Sequence, residues 1–452
     1  MADWMDLPVD ILVVISQSLT VIEDFTSFAA VCKDWKSVTS ILKKKPSLPT
    51  RYPRLMLAEK IDTEDQENQG DQDASIRFFL NLLTSKRFQL QLPEASGRKC
   101  TGAHYGWLWT IGTDLQINLL HPFSRQQICL PHMLTFPDQY EYNEKFTPQE
   151  VWYFFVSKIA MSSNPCKEKS LHDYNEDCTV VAIYGEFSIL AFTKLGGTVW
   201  TNISVHSRVY QDIIFYNGKF YAVDAHGVVV VCEFDDANGP KATVIAPAPI
   251  ETSDTYQKYL VESSGHLLLV SRIRRGYLFG DDDDDDVEED DIDDQDEDAG
   301  DDIDDQDEDA GDDIDECKGD VDGSDNVDHV EDAEGSDKEG EKKARYYTTD
   351  FSVLRLDECH EEGNNYAYRL TEVTSLGDQA LFLGSNVSTS IASSGCIKPN
   401  CIYFTDDNCE LYFNEPGGGG HDTGIFNMED GTIQLNYAGE SRSNFSPPLW
   451  YI

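Results

Sequence analysis

Residues 212–223 read DIIFYNGKFYAV, and this stretch decides how the larger part of the chain folds. Two runs rich in β-branched and aromatic residues, 213–216 and 219–223, flank the dipeptide Asn217-Gly218. Asn-Gly is the strongest short signal for a two-residue β-hairpin turn, because both positions of that turn need a positive φ. The stretch therefore predicts two adjacent antiparallel strands.

The same strand–turn–strand pattern returns on both sides of this hairpin. Its other copies lie at residues 106–120, 221–232, 259–270, 401–413 and 424–435. Many short strands spread over about 340 residues favour a closed all-β architecture. A sandwich is rarely that long, whereas a propeller is. We therefore predict a large all-β, propeller-like domain with its blade count left open; two stacked β domains are the alternative.

An acidic segment interrupts this β pattern. The chain has a net charge of −48, and residues 281–341 carry −34 of it, with 36 Asp and Glu against two Lys. The unit DDIDDQDEDAG occupies residues 290–300 and again 301–311. A tandem repeat with few apolar residues and strong self-repulsion cannot build a core. We predict a disordered acidic insertion at 281–345.

The role of the acidic insertion stays open. Its charge suits capture of basic proteins, and Ser324 or Ser336 could be phosphorylated among the acids. The other reading is an expansion tolerated in a surface loop. A calcium loop of the EF-hand type fits poorly, because residues 320–323 (DVDG) place the glycine at position 4 instead of 6.

The first 45 residues differ from the β domain in their periodicity. Pro8 suits the first turn of a helix, where its missing N–H costs nothing. Apolar residues then recur at helical spacing, and a second apolar run follows the acidic pair at 23–24 and continues to Leu42. About 40 residues bury too little surface to be stable alone. We expect a small helical module whose apolar face needs a partner or its own chain to cover it.

The order of residues in this module resembles an F-box. The resemblance covers about residues 4–44 and is carried by Leu7-Pro8-x-Asp10 and by Val31-Cys32-x-x-Trp35. In that family the module has three helices and binds a Skp-type adaptor, and through it a cullin, in a ubiquitin ligase. The residues that the resemblance assigns to adaptor binding, Trp35 among the anchors, are Leu7, Pro8, Asp10, Ile11, Leu12, Ile15, Leu19, Val31, Cys32 and Trp35. An ordinary helical subdomain is the alternative.

The β region also resembles a family, the plant F-box proteins with a C-terminal kelch-like β-propeller domain (KIB-like). Residues 376–384 (LGDQALFLG) and 399–407 (PNCIYFTDD) carry the resemblance most sharply. It spans about 100–275 and 346–452 and departs from the family at the acidic insertion. The chain is thus expected to be multidomain, with an all-α F-box and an all-β domain, and its predicted boundaries are 1–45 for the F-box, 46–97 for a connector and 98–452 for the propeller-like domain.

No catalytic or metal site emerges from the sequence. Ten histidines are dispersed without a triad motif, and His421-Asp422 is a weak acid–base candidate. The eleven cysteines form no C-x-x-C pair, and no histidine near residues 396–409 has a zinc-ligand spacing. We therefore expect a protein that is not an enzyme and needs no cofactor or metal.

Charge and hydropathy limit the expected partners. The acidic balance would repel a phosphate backbone, so nucleic-acid binding is not expected. No apolar run approaches the ~18 residues that a membrane span needs, and no signal peptide is visible. We expect a cytoplasmic and/or nuclear protein with reduced thiols.

Three functions remain in competition at this point. The first is a substrate receptor, whose F-box docks on the adaptor while the loop face of the propeller holds an unknown target protein. The second is a propeller scaffold that acts without the adaptor and uses the acidic segment as a tether. The third is a propeller enzyme that acts on a small molecule in a deep axial pocket.

Overall fold

A computed structural model describes 15 segments of the chain, which are residues 7–18, 28, 31–42, 53–58, 75–82, 86–137, 147–166, 175–204, 209–235, 239–249, 255–277, 345–359, 366–413, 418–435 and 441–452. The predicted acidic insertion at 281–345 lies outside these residues except for Arg345. None of the helices in the described segments is long and apolar enough to cross a bilayer.

The N-terminal module contains two described helices, α1 (Val9–Ser18) and α2 (Lys33–Leu42). Pro8 starts α1 as predicted, because its carbonyl oxygen accepts a hydrogen bond from the Leu12 N–H at 3.1 Å. The stretch that would hold the third predicted helix is described only at Phe28. A small core joins the two helices through Leu12, Phe28, Trp35 and Val38.

The rest of the described chain forms six β-sheets, which are the blades of a propeller. The β-propeller prediction is confirmed, and the structure adds the blade count. In blade order, with the C-terminal strand in the first blade, the strands are β1 (Arg54–Met56), β2 (Ile76–Asn81), β3 (Arg87–Gln91) and β25 (Leu449–Tyr451); β4 (Lys99–Gly102), β5 (Leu108–Ile111), β6 (Asn118–His121) and β7 (Gln126–Cys129); β8 (Val156–Met161), β9 (Thr179–Tyr184), β10 (Ile189–Lys194) and β11 (Thr201–Asn202); β12 (Tyr210–Tyr216), β13 (Lys219–Asp224), β14 (Val229–Asp235) and β15 (Gly239–Ala246); β16 (Thr255–Ser263), β17 (His266–Tyr277), β18 (Arg345–Glu358) and β19 (Tyr368–Glu372); and β20 (Gln379–Leu383), β21 (Thr389–Ala392), β22 (Cys401–Phe404), β23 (Gly424–Asn427) and β24 (Ile433–Leu435).

Two short helices lie in the connections of the propeller, α3 (Pro148–Phe155) before β8 and α4 (Cys409–Tyr412) between β22 and β23. A capping box starts α3, in which Thr147 and Glu150 satisfy each other's backbone N–H groups. The sixth blade departs from a simple meander, because β20 and β22 pair in parallel.

The hairpin predicted within residues 212–223 is confirmed. Phe215 pairs with Phe220 and Tyr216 with Lys219, and Asn217 and Gly218 have φ angles of 46° and 80°. Both angles lie in the left-handed region, as a type I′ turn requires. Glycine enters this region without a steric cost, so the local sequence is sufficient to set this turn.

One predicted hairpin is wrong. The run at 409–413 was expected to be a strand, but residues 409–412 form α4. The hydroxyl of Tyr412 lies 2.9 Å from that of Tyr153 on α3, and the Phe413 ring packs 4.7 Å from the Tyr153 ring. Burial against α3 therefore overrides the local strand pattern.

The predicted connector at 46–97 is also corrected. Residues 54–91 within it supply β1, β2 and β3, and Leu55 of β1 pairs with Trp450 of β25. The first blade is thus built from both ends of the propeller sequence, and this pairing closes the ring. The sequence pattern missed it because the partner strand lies at the far end of the chain.

The propeller core is divided among the contacts between blades. Six hydrophobic clusters fill the six interfaces between neighbouring blades, and the cluster between the first and last blades is centred on Leu55, Phe382 and Trp450. Each blade therefore has two apolar faces to bury, which only closure of the ring achieves.

Candidate functional site: the open face of the helical module

Four large aliphatic side chains in the described part of the helical module are exposed. Val9 is 52% exposed, Ile11 47%, Val14 62% and Val31 51%. We use the name open face for these four exposed residues as a set. Ile11 and Val14 lie three positions apart on α1 and share one side of it, while Leu12 and Ser16 are buried on the other side.

The structure divides the ten predicted adaptor-binding residues into groups. Leu12 and Trp35 belong to the module's own core, at 1% and 8% exposure, so Trp35 is not available as an anchor for a partner. The Trp35 ring instead packs 4.5 Å from the Phe28 ring. Leu7, Ile15 and Cys32 are half-buried and pack against this core.

The exposed part of the predicted set is smaller. Pro8, Asp10, Ile11 and Val31 are exposed, and Leu19 lies outside the described residues. The open face also contains Val9 and Val14, which the sequence reasoning did not include. The spacing of Val14 three residues after Ile11 was a usable signal for it.

Two buried charge groups in the propeller connect neighbouring blades. In the first, the Lys158 ammonium on β8 lies 2.9 Å from a carboxylate oxygen of Asp212 on β12. The Asp212 carboxylate also accepts the Leu260 N–H at 2.8 Å and the Ser388 hydroxyl at 3.4 Å. The Asp212 side chain thus bonds groups from three other blades, which is a structural role.

The second group, which we call the arginine–aspartate cluster, consists of Arg272, Arg274, Asp407 and Asp422. Arg272 donates to Asp407 at 3.1 Å and to Asp422 at 2.9 Å, and Arg274 donates to both carboxylates as well. Thr348 on β18 donates its N–H to Asp422 at 2.8 Å. The cluster ties β17 and β18, the strands on either side of the acidic insertion, to the connection between β22 and β23.

The ionisation of this cluster follows from its geometry. Burial opposes charge on Asp407 and Asp422, but the two guanidinium groups and the hydrogen bonds outweigh it and hold both carboxyl pKa values below their usual range. The weak acid–base candidate His421-Asp422 is therefore not assembled. Asp422 is engaged by the arginines, and His421 lies 3.5 Å from Asp406 instead.

Burial lowers the pKa of two other bases. Burial, together with the nearby Lys158 charge, lowers the pKa of His104 to about 4. Burial also lowers the pKa of Lys99, whose ammonium donates to the carbonyl oxygens of Tyr153 and Val156 at 2.8 and 2.9 Å. Across the described segments, no group of three or more His, Cys, Asp or Glu residues is placed to hold a metal ion.

Fold and site together define a class of protein: an F-box protein whose small helical module precedes a β-propeller. Comparison with known sequences gives the family. The model of the KIB1-4 beta-propeller family matches residues 79–427, so the chain belongs to that family. The match begins inside the predicted connector, in agreement with the strands found there.

Several relatives from Arabidopsis thaliana are F-box proteins. The chain is 24% identical to the F-box protein SKIP23, over 100% of this chain and 96% of that protein. It is 27% identical to the putative F-box protein At5g55150, over 58% of this chain and 65% of the relative. The putative F-box protein At1g65770 is 23% identical over 93% of this chain and 94% of its own length. The chain is thus a plant-type F-box protein with a β-propeller.

Proposed function

We propose that the chain is the substrate-recognition subunit of an SCF-type E3 ubiquitin-protein ligase. The helical module binds a Skp-type adaptor, and through it a cullin, and the propeller binds the target protein. The open face carries this proposal, because four exposed aliphatic side chains on so small a module call for a covering partner.

The energetics of the module support a covering partner. Its core contains four buried side chains, Leu12, Phe28, Trp35 and Val38. Fully burying one Val or Ile side chain contributes about 1.5–3 kcal/mol, and because these four are about half exposed, covering each adds roughly half of that stabilisation. A standard interface of roughly 1,600 Å² could include all four exposed residues.

The proposal assigns no residue of this chain to ubiquitin transfer. The scaffold would hold target lysines near a charged conjugating enzyme and raise their effective concentration. An intracellular site of action, cytoplasmic and/or nuclear, belongs to the same proposal. The ten cysteines in the described segments are free thiols, which suits a reducing compartment.

The test is a calorimetric titration of the full chain with a purified Skp-type adaptor. An Ile11→Glu, Val14→Glu double variant should lose binding by at least about a hundredfold, because two charges would enter a desolvated apolar contact. Its matched control is Val199→Glu, since Val199 is 55% exposed on the propeller and should not touch the adaptor.

Two results would contradict the proposal. If the folded wild-type chain does not bind the adaptor, the propeller scaffold that acts without it becomes the better reading. If Val199→Glu weakens binding as much as the double variant, the open face is not the contact. Circular dichroism of each variant shows whether its helices are still folded, so a loss of the adaptor contact can be told from a loss of helical structure.

A further inference from the structure

A groove opens between the third and fourth blades of the propeller. Its volume is about 650 Å³, within the range of sites that bury small ligands or a few side chains. Ser162 and Thr179 of the third blade form one side, and Phe215, Gly218 and Lys219 around the β12–β13 turn form another. None of the residues discussed for the open face contributes to it.

Three phenylalanines line the groove, Phe215, Phe220 and Phe234, and Phe192 beside it extends their row. The Phe215 and Phe220 rings are 4.9 Å apart, Phe220 and Phe234 are 6.0 Å apart, and Phe234 and Phe192 are 4.9 Å apart. Phe234 is 41% exposed, although it is a large apolar residue that packs against two other rings of this row. Exposed aromatic side chains backed by a packed aromatic row are typical of interface anchors.

The residues that line the groove carry a small net positive charge, whereas the protein is acidic. Lys219 is exposed and has no ion-pair partner among the described residues, and Lys241 lies 3.3 Å from Glu233. Among the groove's lining residues, two lysines therefore face one carboxylate, giving a local charge of +1 on a chain of −48. At contact distance such a site attracts an acidic group, since the distant acids are screened by salt.

We propose that this groove binds a short segment of the target protein in which bulky apolar residues are flanked by acidic ones. The apolar side chains would pack on Phe234 and the Phe215–Phe220 pair, while an acidic neighbour pairs with Lys219. This inference rests on the proposed receptor function, because it names the kind of target segment that the propeller would hold.

The test uses a fluorescein-labelled peptide, Gly-Asp-Leu-Phe-Asp-Gly, in a fluorescence-polarisation titration of the full chain. Phe234→Ser and Lys219→Glu should each weaken binding by about tenfold or more, because each removes one of the two recognition elements. Lys194→Glu is the matched control, since it makes the same charge change at an exposed lysine outside the groove. A peptide with both acids replaced by Asn should bind the wild type about tenfold more weakly.

Three outcomes would overturn the inference. The first is no binding of the peptide by the folded wild type up to about 1 mM, and the second is an equal loss in Lys194→Glu. The third is a dimer in sedimentation that Phe234→Ser converts to monomer, which would make the groove a contact between copies. The peptide assay contains no adaptor, so it can fail while adaptor binding succeeds, and the reverse.

Discussion

The helical module and the propeller bury their apolar residues by different means. The module has one core of four side chains and leaves four aliphatic residues exposed beside it. The propeller fills six interfaces between blades and closes its ring by pairing β1 with β25. The difference is that the described part of the module leaves aliphatic side chains exposed, as the proposed adaptor contact requires, whereas the propeller covers the apolar faces of its blades with one another.

The helical module and the propeller also differ in their buried charges. The propeller contains the Lys158–Asp212 pair and the arginine–aspartate cluster, each bonding elements from different blades. The described part of the module has no buried ion pair. Buried charges persist only where several partners satisfy them together, which a closed ring supplies and two short helices do not.

The largest effect should come from opening the ring. Deletion of residues 447–452 removes β25, whose Leu449, Trp450 and Tyr451 are at most 5% exposed. The loss of three buried side chains and a strand pairing should destabilise the propeller by more than about 5 kcal/mol. Thermal unfolding followed by circular dichroism measures this. Deletion of residues 1–45 is the control and should leave the propeller transition in place; an unchanged transition without β25 would contradict the closure.

The next effect should come from the arginine–aspartate cluster. Arg272 is 0% exposed, and Arg272→Met removes one of the two guanidinium partners of the buried Asp407 and Asp422, so it should cost about 3–5 kcal/mol. Arg125→Met is the matched control, because Arg125 pairs with Glu94 at the surface with 48% exposure and should change stability by less than about 1 kcal/mol. Urea unfolding compares the two, and equal losses would show that the cluster is not structural.

A third comparison separates two neighbours on α1. Leu12→Ala should cost the module about 2–5 kcal/mol, because Leu12 is 1% exposed in its core. Ile11→Ala should change module stability by at most about 0.5 kcal/mol, because Ile11 is 47% exposed. Hydrogen exchange at the amides of α1 and α2 reports module stability. Ile11→Ala should weaken adaptor binding without faster amide exchange, and Leu12→Ala should make amide exchange faster. If Ile11→Ala speeds exchange and Leu12→Ala does not, the buried and exposed faces of α1 are assigned wrongly.

The smallest effect should be a pH dependence in the propeller. Burial holds the pKa of His104 at about 4, whereas the unfolded value is about 6.5. The unfolded chain therefore gains the proton first, and stability that is complete above pH 6.5 declines as the pH falls towards 4, by about 1–3 kcal/mol. In His104→Gln this decline should be smaller. An identical pH profile for the two proteins in urea unfolding would exclude the assignment.

The sequence alone was sufficient to predict the elements that depend on local signals. The Asn217-Gly218 turn, the alternating strand runs and the helix start at Pro8 were predictable, because each depends on φ preferences and apolar spacing within a few residues. The resemblance to F-box proteins with a propeller was also readable from short ordered motifs such as residues 399–407. The strand prediction at 409–413 was wrong, because the packing of this segment against α3 determines that residues 409–412 are helical.

Tertiary structure alone decided what depends on distant partners. The six blades, the pairing of Leu55 with Trp450 and the meeting of Arg272 with Asp422 join residues from separate parts of the chain. Tertiary structure also decided that Trp35 lies in the core while Ile11 and Val14 face outward. The spacing of apolar residues predicts a helix or a strand, but only the packing of the whole fold determines which apolar residues are buried and which stay exposed.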